Sequence, residues 1–444
     1  MRHAWEWLRA SLWFLPAVLV VCAVALALGL IEIEPHTDWR YRYPRLFGAG
    51  AEGARSMVST IAGSMITVAG VTFSITVVAL TLASSQYTSR ILRNFMRDRA
   101  NHAVLGVFLG VYAYCLVVLR TIRGGDEGVF VPAVAVLGSV VLAFVGIGFL
   151  IFFIHHVTAS LQASSIIARA AEETLEALDR LFPAGVGGGA EENFHTEPAP
   201  SSEGLIWAAI PAARTGYIQS VDADALLRFA AARQTVLRMD RGIGEFVTEG
   251  VVLAYIAGGG EADADASDEL NRAYTVGRHR TIVQDAGYGI RQIVDIALKA
   301  LSPGINDTTT AVECVDFLGA ILVRAGQRRI ETRHRLEDGE LRVIARGATF
   351  EGLLHEAFDQ IRQNAPANVA VLTRLLEALK TVGRATSKQR GAAVFEQAKL
   401  VAATAERTVP EPRDRQVIVI LLDEVREAVA ATDILDAVAI DHEH

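Results

Sequence analysis

Three cysteines occur in 444 residues, and no two lie close enough in sequence to form a Cys-x-x-Cys pair. Cys22 and Cys115 fall inside apolar runs, and Cys314 stands alone in the more polar half. A disulfide framework and a cysteine-based zinc or redox motif are thereby excluded, which fits a reducing compartment for that half. Lysine is missing from the first 155 residues, which hold twelve arginines and eight acids for a net charge of +4. Residues 156–444 hold 30 basic and 42 acidic side chains, a net charge of −12. That half lacks the basic stripe that nucleic-acid recognition requires, so no nucleic-acid partner is expected. The long apolar runs lack Asp, Glu, Lys and Arg. Proton-coupled pumps carry ionisable groups within their spans, so this absence argues against a pump.

Catalytic and metal motifs are missing as well. Asp263-Ala-Asp265-Ala-Ser267-Asp268 opens like a calcium loop but has Asp268 where the turn needs Gly and Tyr274 where a bidentate Glu belongs. His355-Glu356 is followed by Asp359 rather than a second His, so the zinc-protease helix pattern fails. The glycine runs are not followed by Lys-Ser/Thr between a strand and a helix, so there is no phosphate loop. Neither an enzyme nor a cofactor or metal requirement is expected, because no nucleophile–base or metal constellation is present.

What is present is apolar length. Four runs stand out, at about 12–31, 57–83, 103–119 and 129–154. The first, second and fourth exceed the roughly 18–20 residues a spanning helix needs, and the third is at the lower limit. At ~1.5 Å per residue the second is about 40 Å long, more than the ~30 Å hydrocarbon core, so it should tilt or protrude. Ala25-Leu-Ala27 offers a signal-peptidase site, but the first run is long for a signal sequence and reads better as a retained span. The lipid bilayer is therefore the first expected partner. Arg90, Arg93, Arg97 and Arg99 between spans two and three favour a cytoplasmic loop, although counted over all loops basic residues tie at six per side. The long, disulfide-free domain is the better argument for cytoplasmic N- and C-termini. Arg90, Arg93 and Arg97 also share a helix face suited to anionic headgroups. His155-His156 fall where span four leaves the membrane, which suits interface anchoring ahead of a pH-sensing role.

Span two carries a stripe of small side chains: Thr60, Gly63, Thr67, Gly70, Ser74, Thr81 and Ser84, with Val77 at the skipped position. Steps of three and four residues keep one face toward a partner. Small residues in lipid let backbones approach, and hydroxyls can bond across helices or face water. The stripe predicts a contact helix or a pore helix, and self-association of the chain is expected through it.

After the spans, residues 156–182 read as a connecting helix and 183–203 as a linker rich in Gly, Pro and Ser. Residues 204–257 read as a small β-rich module, with strands at Leu205–Ile210, Gly216–Val221, Thr235–Met239 and Phe246–Ile256 and a helix at Ala223–Ala232. Its rhythm resembles small barrel-sandwich folds that present a flat surface or a ligand groove, and a plain packing module fits it at least equally well. Residues 258–267 read as a second linker and 268–444 as a helical cytoplasmic domain with one polar hairpin near Arg335–Arg346. The fold class expected is membrane α-helical with four transmembrane helices, followed by a cytoplasmic α+β region.

Within the helical part, Arg291, Asp295 and Lys299 recur every four residues and predict a solvated charge ladder. Ser302-Pro303-Gly304 ends that helix, and Asn306, Asp307 or Thr310 can cap the next. A capped helical hairpin accounts for these residues. The alternative is a ligand loop built from Arg291, Asp295, Ser302, Asn306 and Asp307 at a helix N-terminus.

Two stretches, Phe73–Arg90 (FSITVVALTLASSQYTSR) and Gly289–Asp307 (GIRQIVDIALKALSPGIND), carry a resemblance. Both look like the bacterial predicted-membrane-protein family known as domain of unknown function 2254. Ser89 and Thr308 stand where that family is expected to have proline, at helix starts. The resemblance implies a bacterial inner-membrane protein and no established activity. Two functions are compatible with the residues: a homo-oligomeric channel gated by its cytoplasmic region, or a membrane-anchored sensor or scaffold whose soluble part binds a ligand or protein.

Overall fold

The computed structural model describes residues 13–33, 50–86, 98–124, 130–160, 162–182, 205–258, 263–328, 330, 334–337 and 339–441, with the side chains of 82–86 and 432–441 outside that description. The chain forms two compact units, Met1–Ile166 and Ile167–His444.

In the first unit four helices are long and apolar enough to cross a membrane. They are α1 (Phe14–Ile33), α2 (Ala51–Gln86), α3 (Arg99–Thr121) and α4 (Ala133–Ser160). The third, shortest in sequence expectation, is the hub: 44% of its apolar stretch is buried, against 11–22% in the others. Glycine explains how α3 takes that place. A Cβ on Gly106 would lie 2.6 Å from Leu19 Cδ1 and 2.9 Å from Pro16 Cα, and one on Gly110 would lie 3.3 Å from the Leu19 carbonyl oxygen. Gly106-x-x-x-Gly110 is thus the surface on which the α1 backbone rests, the small-residue packing that lipid-embedded helices favour.

The directions follow from single contacts. Arg55 donates from Nη2 to the Ile122 carbonyl at 2.9 Å, so α2 runs antiparallel to α3. Tyr114 donates its hydroxyl to the Ala135 carbonyl at 2.7 Å, and a Cβ on Gly146 would touch both Met65 and Phe108, so α4 is antiparallel to α3 too. Asp98 caps α3 by accepting from the Ala100 amide at 2.9 Å.

Helix α5 (Ala163–Leu181) carries the chain from the first unit into the second, and a bend at Gln162 interrupts the expected continuous helical run. The strands of the second unit are β1 (Trp207–Pro211), β2 (Gly216–Val221), β3 (Leu237–Met239), β4 (Phe246–Val247), β5 (Val252–Ala257), β6 (Tyr274–Gly277), β7 (His334–Glu337) and β8 (Glu340–Ile344). They form a five-stranded sheet in the order β1-β5-β3-β8-β7 and a three-stranded sheet in the order β4-β2-β6. Helices α6 (Ala223–Ala232) and α7 (Ala264–Ala273) complete the core, which includes Ile210, Ile218, Leu226, Phe229, Leu253 and Leu270. The other helices are α8 (Ala286–Ala300), α9 (Thr308–Gly326), α10 (Phe350–Asn364), α11 (Val369–Ala385), α12 (Lys388–Thr408) and α13 (Pro412–Asp441).

Three expectations about this unit change. The run Phe246–Ile256 is two strands in different sheets, because Gly250 at φ +82° turns the chain and the Val251 amide bonds back to the Thr248 carbonyl. Residues 264–267 are helix rather than linker, because Asp263 accepts from the Ala266 amide at 2.5 Å and starts α7. The β structure also does not stop at residue 257. β6, from a stretch expected to be helical, pairs antiparallel with β2, and the hairpin expected near Arg335–Arg346 is β7 and β8, of which β8 joins the sheet by pairing parallel with β3. The basic loop 87–97 and the linker 183–203 lie outside the described residues.

Candidate functional site

The two faces of α2 differ. Ala54, Val58, Ala62, Met65, Ala69, Thr72 and Ala79 form its buried face. Thr60, Gly63, Thr67, Gly70, Ser74 and Thr81 are exposed, and so is Val77. A Cβ placed on Gly63 or Gly70 meets nothing within 4 Å. Among the described residues the stripe's glycines therefore face no other span, while Thr60 at its edge borders a groove shared with α3 and α4. The backbone of Ser84 is helical, but its side chain is outside the description.

The stripe's hydroxyls turn inward on their own helix. Thr60 donates to the Ser56 carbonyl at 2.8 Å, Thr67 to Gly63 at 2.8 Å and Thr81 to Val77 at 2.9 Å. Such back-bonding satisfies a hydroxyl in lipid while leaving its lone pairs available to a neighbour. Beside the stripe, Thr60, Ser64, Met65, Phe108, Gly146 and Leu150 line an apolar groove of about 310 Å³ between α2, α3 and α4.

The second candidate, the loop after α8, is divided. Arg291 and Asp295 pair at 2.9 Å along α8, and Arg291 reaches Glu356 on α10 at 3.4 Å. With side-chain exposures of 23% and 12%, Arg291 and Asp295 are packed between helices, not a solvated ladder. Ser302, some eleven residues and roughly 16 Å of helix away, donates to the Lys299 carbonyl at 2.6 Å and so closes the end of α8. Asn306 takes φ +51°, the left-handed turn that lets Asp307 face the next helix. Asp307 caps α9, accepting from the Thr310 amide at 3.0 Å and from its hydroxyl at 2.6 Å. Thr310 is thus the capped residue and not the cap. The hydrogen bonds from Thr310 hold the Asp307 carboxyl below its usual range. At the motif's other end, a Cβ on Gly289 would lie 2.1 Å from the Thr174 hydroxyl, so glycine here lets α8 cross α5 closely.

Several polar groupings were not anticipated. Asp98 and His156 pair at 2.5 Å, tying the start of α3 to the end of α4, while His156 stacks on Phe152. The signal for the pair was in the sequence: an acid just before one span and a histidine ending the next, antiparallel one. Asp285 caps α8 through the Tyr288 amide and binds Arg280 at 2.9 and 3.1 Å; burial pushes its carboxyl up against the opposing pull of Arg280. Gly244, at φ +83°, leaves room for that carboxylate, because a Cβ there would sit 2.3 Å from Asp285 Oδ2. Ser220, Asp222, Asp224, Arg272, Thr275 and Gln284 line a polar groove of about 470 Å³ in the β-rich part. His355 and Asp359 pair at 3.2 Å on α10, and among the described residues no three His, Cys, Asp or Glu side chains gather as a metal site.

These features define a membrane protein with four spanning helices and a second unit of helices and mixed sheets. The chain belongs to the family of predicted membrane proteins known as domain of unknown function 2254, whose family model matches residues 9–381. It is similar to uncharacterized proteins of Mycobacterium tuberculosis and Mycobacterium bovis, 34% identical over 425 residues, covering 93% of this chain and 80% of each relative. No solved structure matches the chain.

Proposed function

We propose that this protein is a homo-oligomeric permeation protein of the bacterial inner membrane, assembled through the small-residue face of α2. The observation that carries the reading is the unpartnered stripe: Gly63 and Gly70 meet nothing within 4 Å, while the opposite face of α2 is buried. A helix whose bundle-facing side is already satisfied, and whose other side is built of Gly, Ser and Thr, is suited to a second copy. In such an assembly Thr60, Thr67, Ser74 and Thr81 supply hydroxyls along the axis, and the second unit, on the cytoplasmic side with both termini, gates the path. We assign the chain no catalytic activity, cofactor or nucleic-acid partner.

The back-bonded hydroxyls favour a second reading, a membrane-anchored sensor or scaffold. Hydroxyls already bonded to their own helix need no permeating water, and the polar groove in the second unit then becomes the place for a ligand. One preparation separates the readings. Reconstituted protein of measured assembly mass should conduct in a planar bilayer, and Gly63→Leu with Gly70→Leu should dissociate it. A folded, assembled and silent protein leaves the scaffold. A reporter fused after His444 that is active only in the periplasm checks the orientation, and activity there refutes it.

A further inference from the structure

We propose that Thr72 and Asn101 hold an ordered water molecule between α2 and α3, near one end of the membrane bundle. Both side chains are more than nine-tenths buried, with exposures of 2% and 7%. Among the described residues, Thr72 Oγ1 and both polar atoms of the Asn101 amide have no hydrogen-bond partner. Thr72 is unusual on its helix: Thr60, Ser64, Thr67, Thr76 and Thr81 all donate to the carbonyl four residues back. An unpaired amide and hydroxyl enclosed in a membrane protein are costly, and a partner is expected to satisfy them.

Helix register brings the two groups together. Met65 and Phe108 meet at Gly146, where a Cβ would lie 3.0 Å from Met65 Sδ and 3.9 Å from Phe108 Cε1. Seven residues are close to two full turns and so preserve the face. Because α2 and α4 run antiparallel to α3, one heptad forward on α2 and α4 matches one heptad back on α3. That step leads from Met65 to Thr72, from Gly146 to Phe153 and from Phe108 to Asn101. Thr72, Asn101 and Phe153, which is 1% exposed, therefore form the next layer.

The chemistry of the layer selects its occupant. A hydroxyl and an amide together offer donors and acceptors and no charge. Among the described residues a cation would find no free counter-charge, because Asp98, one turn before Asn101, is already held by His156 and by the Ala100 amide. The positive end of the α3 dipole opposes a cation further. An anion would need a buried cationic group, and among the described residues the neighbouring Arg99 is exposed. Water can donate to the Asn101 carbonyl and accept from its amide or from the Thr72 hydroxyl. Asn101 is the third residue of α3, so the layer lies close to the bundle's end, where water is at hand.

Pulsed X-ray hydroxyl-radical labelling of the full-length protein in nanodiscs tests this, since radicals formed from a held water oxidise the side chains around it. Phe153 should be oxidised several-fold more than Phe108, which is equally buried one layer away. The double variant Thr72→Val with Asn101→Leu should bring Phe153 down to the Phe108 level. Equal labelling of Phe153 and Phe108 in the unmodified protein overturns the proposal even if the variants fail to fold. A higher Tm for both single variants overturns it as well, because removing dry, unpaired groups would stabilise the bundle.

Discussion

Glycine-to-alanine substitution distinguishes the glycines that seat the chain's own spans from those offered to a partner. At Gly106 the added methyl would lie 2.9 Å from Pro16 Cα, a backbone atom that no rotamer change can move aside, and 2.6 Å from Leu19 Cδ1. Relief requires α1 to shift away from α3, so Gly106→Ala should cost about 1–3 kcal/mol, the usual range for overpacking. At Gly63 and Gly70 the methyl meets nothing within 4 Å. There the substitution adds helix propensity, worth up to ~1 kcal/mol in favour of the helix. Thermal or denaturant unfolding in detergent, under conditions where assembly mass shows monomer, should therefore lower stability for Gly106→Ala and hold or raise it for Gly63→Ala. Above the assembly threshold, Gly63→Leu should leave the monomer folded and reduce the mass. If Gly106→Ala is silent while Gly63→Ala destabilises the monomer, the faces have been assigned the wrong way round.

Asp307→Ala should lower stability by about 1 kcal/mol through loss of the α9 cap, and Asn306→Val should cost about 1–2 kcal/mol because a β-branched residue resists the left-handed turn; both are read by thermal melts. Because the Asp307 carboxyl is held below its usual range by Thr310, the wild-type advantage over Asp307→Ala should be full above pH ~4, the unfolded carboxylate value, and fade as pH falls through the lower folded value. If the protein conducts, Thr67→Val and Thr81→Val should lower conductance or alter selectivity at unchanged assembly mass; hydroxyls that only bond between helices are worth about 0.6 kcal/mol each, and their loss would leave flux alone.

The four spans were legible because twenty apolar residues without charge admit few other readings, and the stripe on α2 was legible because its spacing follows the helix. Its orientation was not. Periodicity says that Gly63 and Gly70 share a face, but only the packing of Ala62, Met65 and Ala69 against the other spans shows that this face is left out. The role of α3 was hidden for a related reason: Gly106 and Gly110 look ordinary in an apolar run until α1 is laid on them. In the second unit, a cap at 306–310 was readable from local sequence, but the choice of Asp307 over Asn306 and Thr310 was not. The placement of β8 beside β3 was not, because strands a hundred residues apart leave no local trace of their pairing. The supposed charge ladder misled because Arg291 and Asp295 at helical spacing look the same whether water or Glu356 faces them.

The membrane unit thus holds two kinds of polar group, and they make opposite demands. Thr60, Thr67 and Thr81 sit on an open face and bond to their own helix, so they are stable in lipid and need nothing from a partner. A surface of that kind can be apposed to another copy or to a water-filled path without a desolvation penalty, which makes it permissive and does not specify the partner. Thr72 and Asn101 sit on the enclosed face with no internal bond. A group in that position is tolerated only if something completes it, so its identity constrains what occupies the layer. Replacing the open hydroxyls should therefore alter what the assembly does with little effect on the fold of one chain. Replacing the enclosed pair should alter the fold of one chain whether or not it assembles. Measuring monomer stability and assembly mass on both sets of variants tests this separation, and a stripe variant that unfolds the monomer would show that the two faces of α2 are not independent.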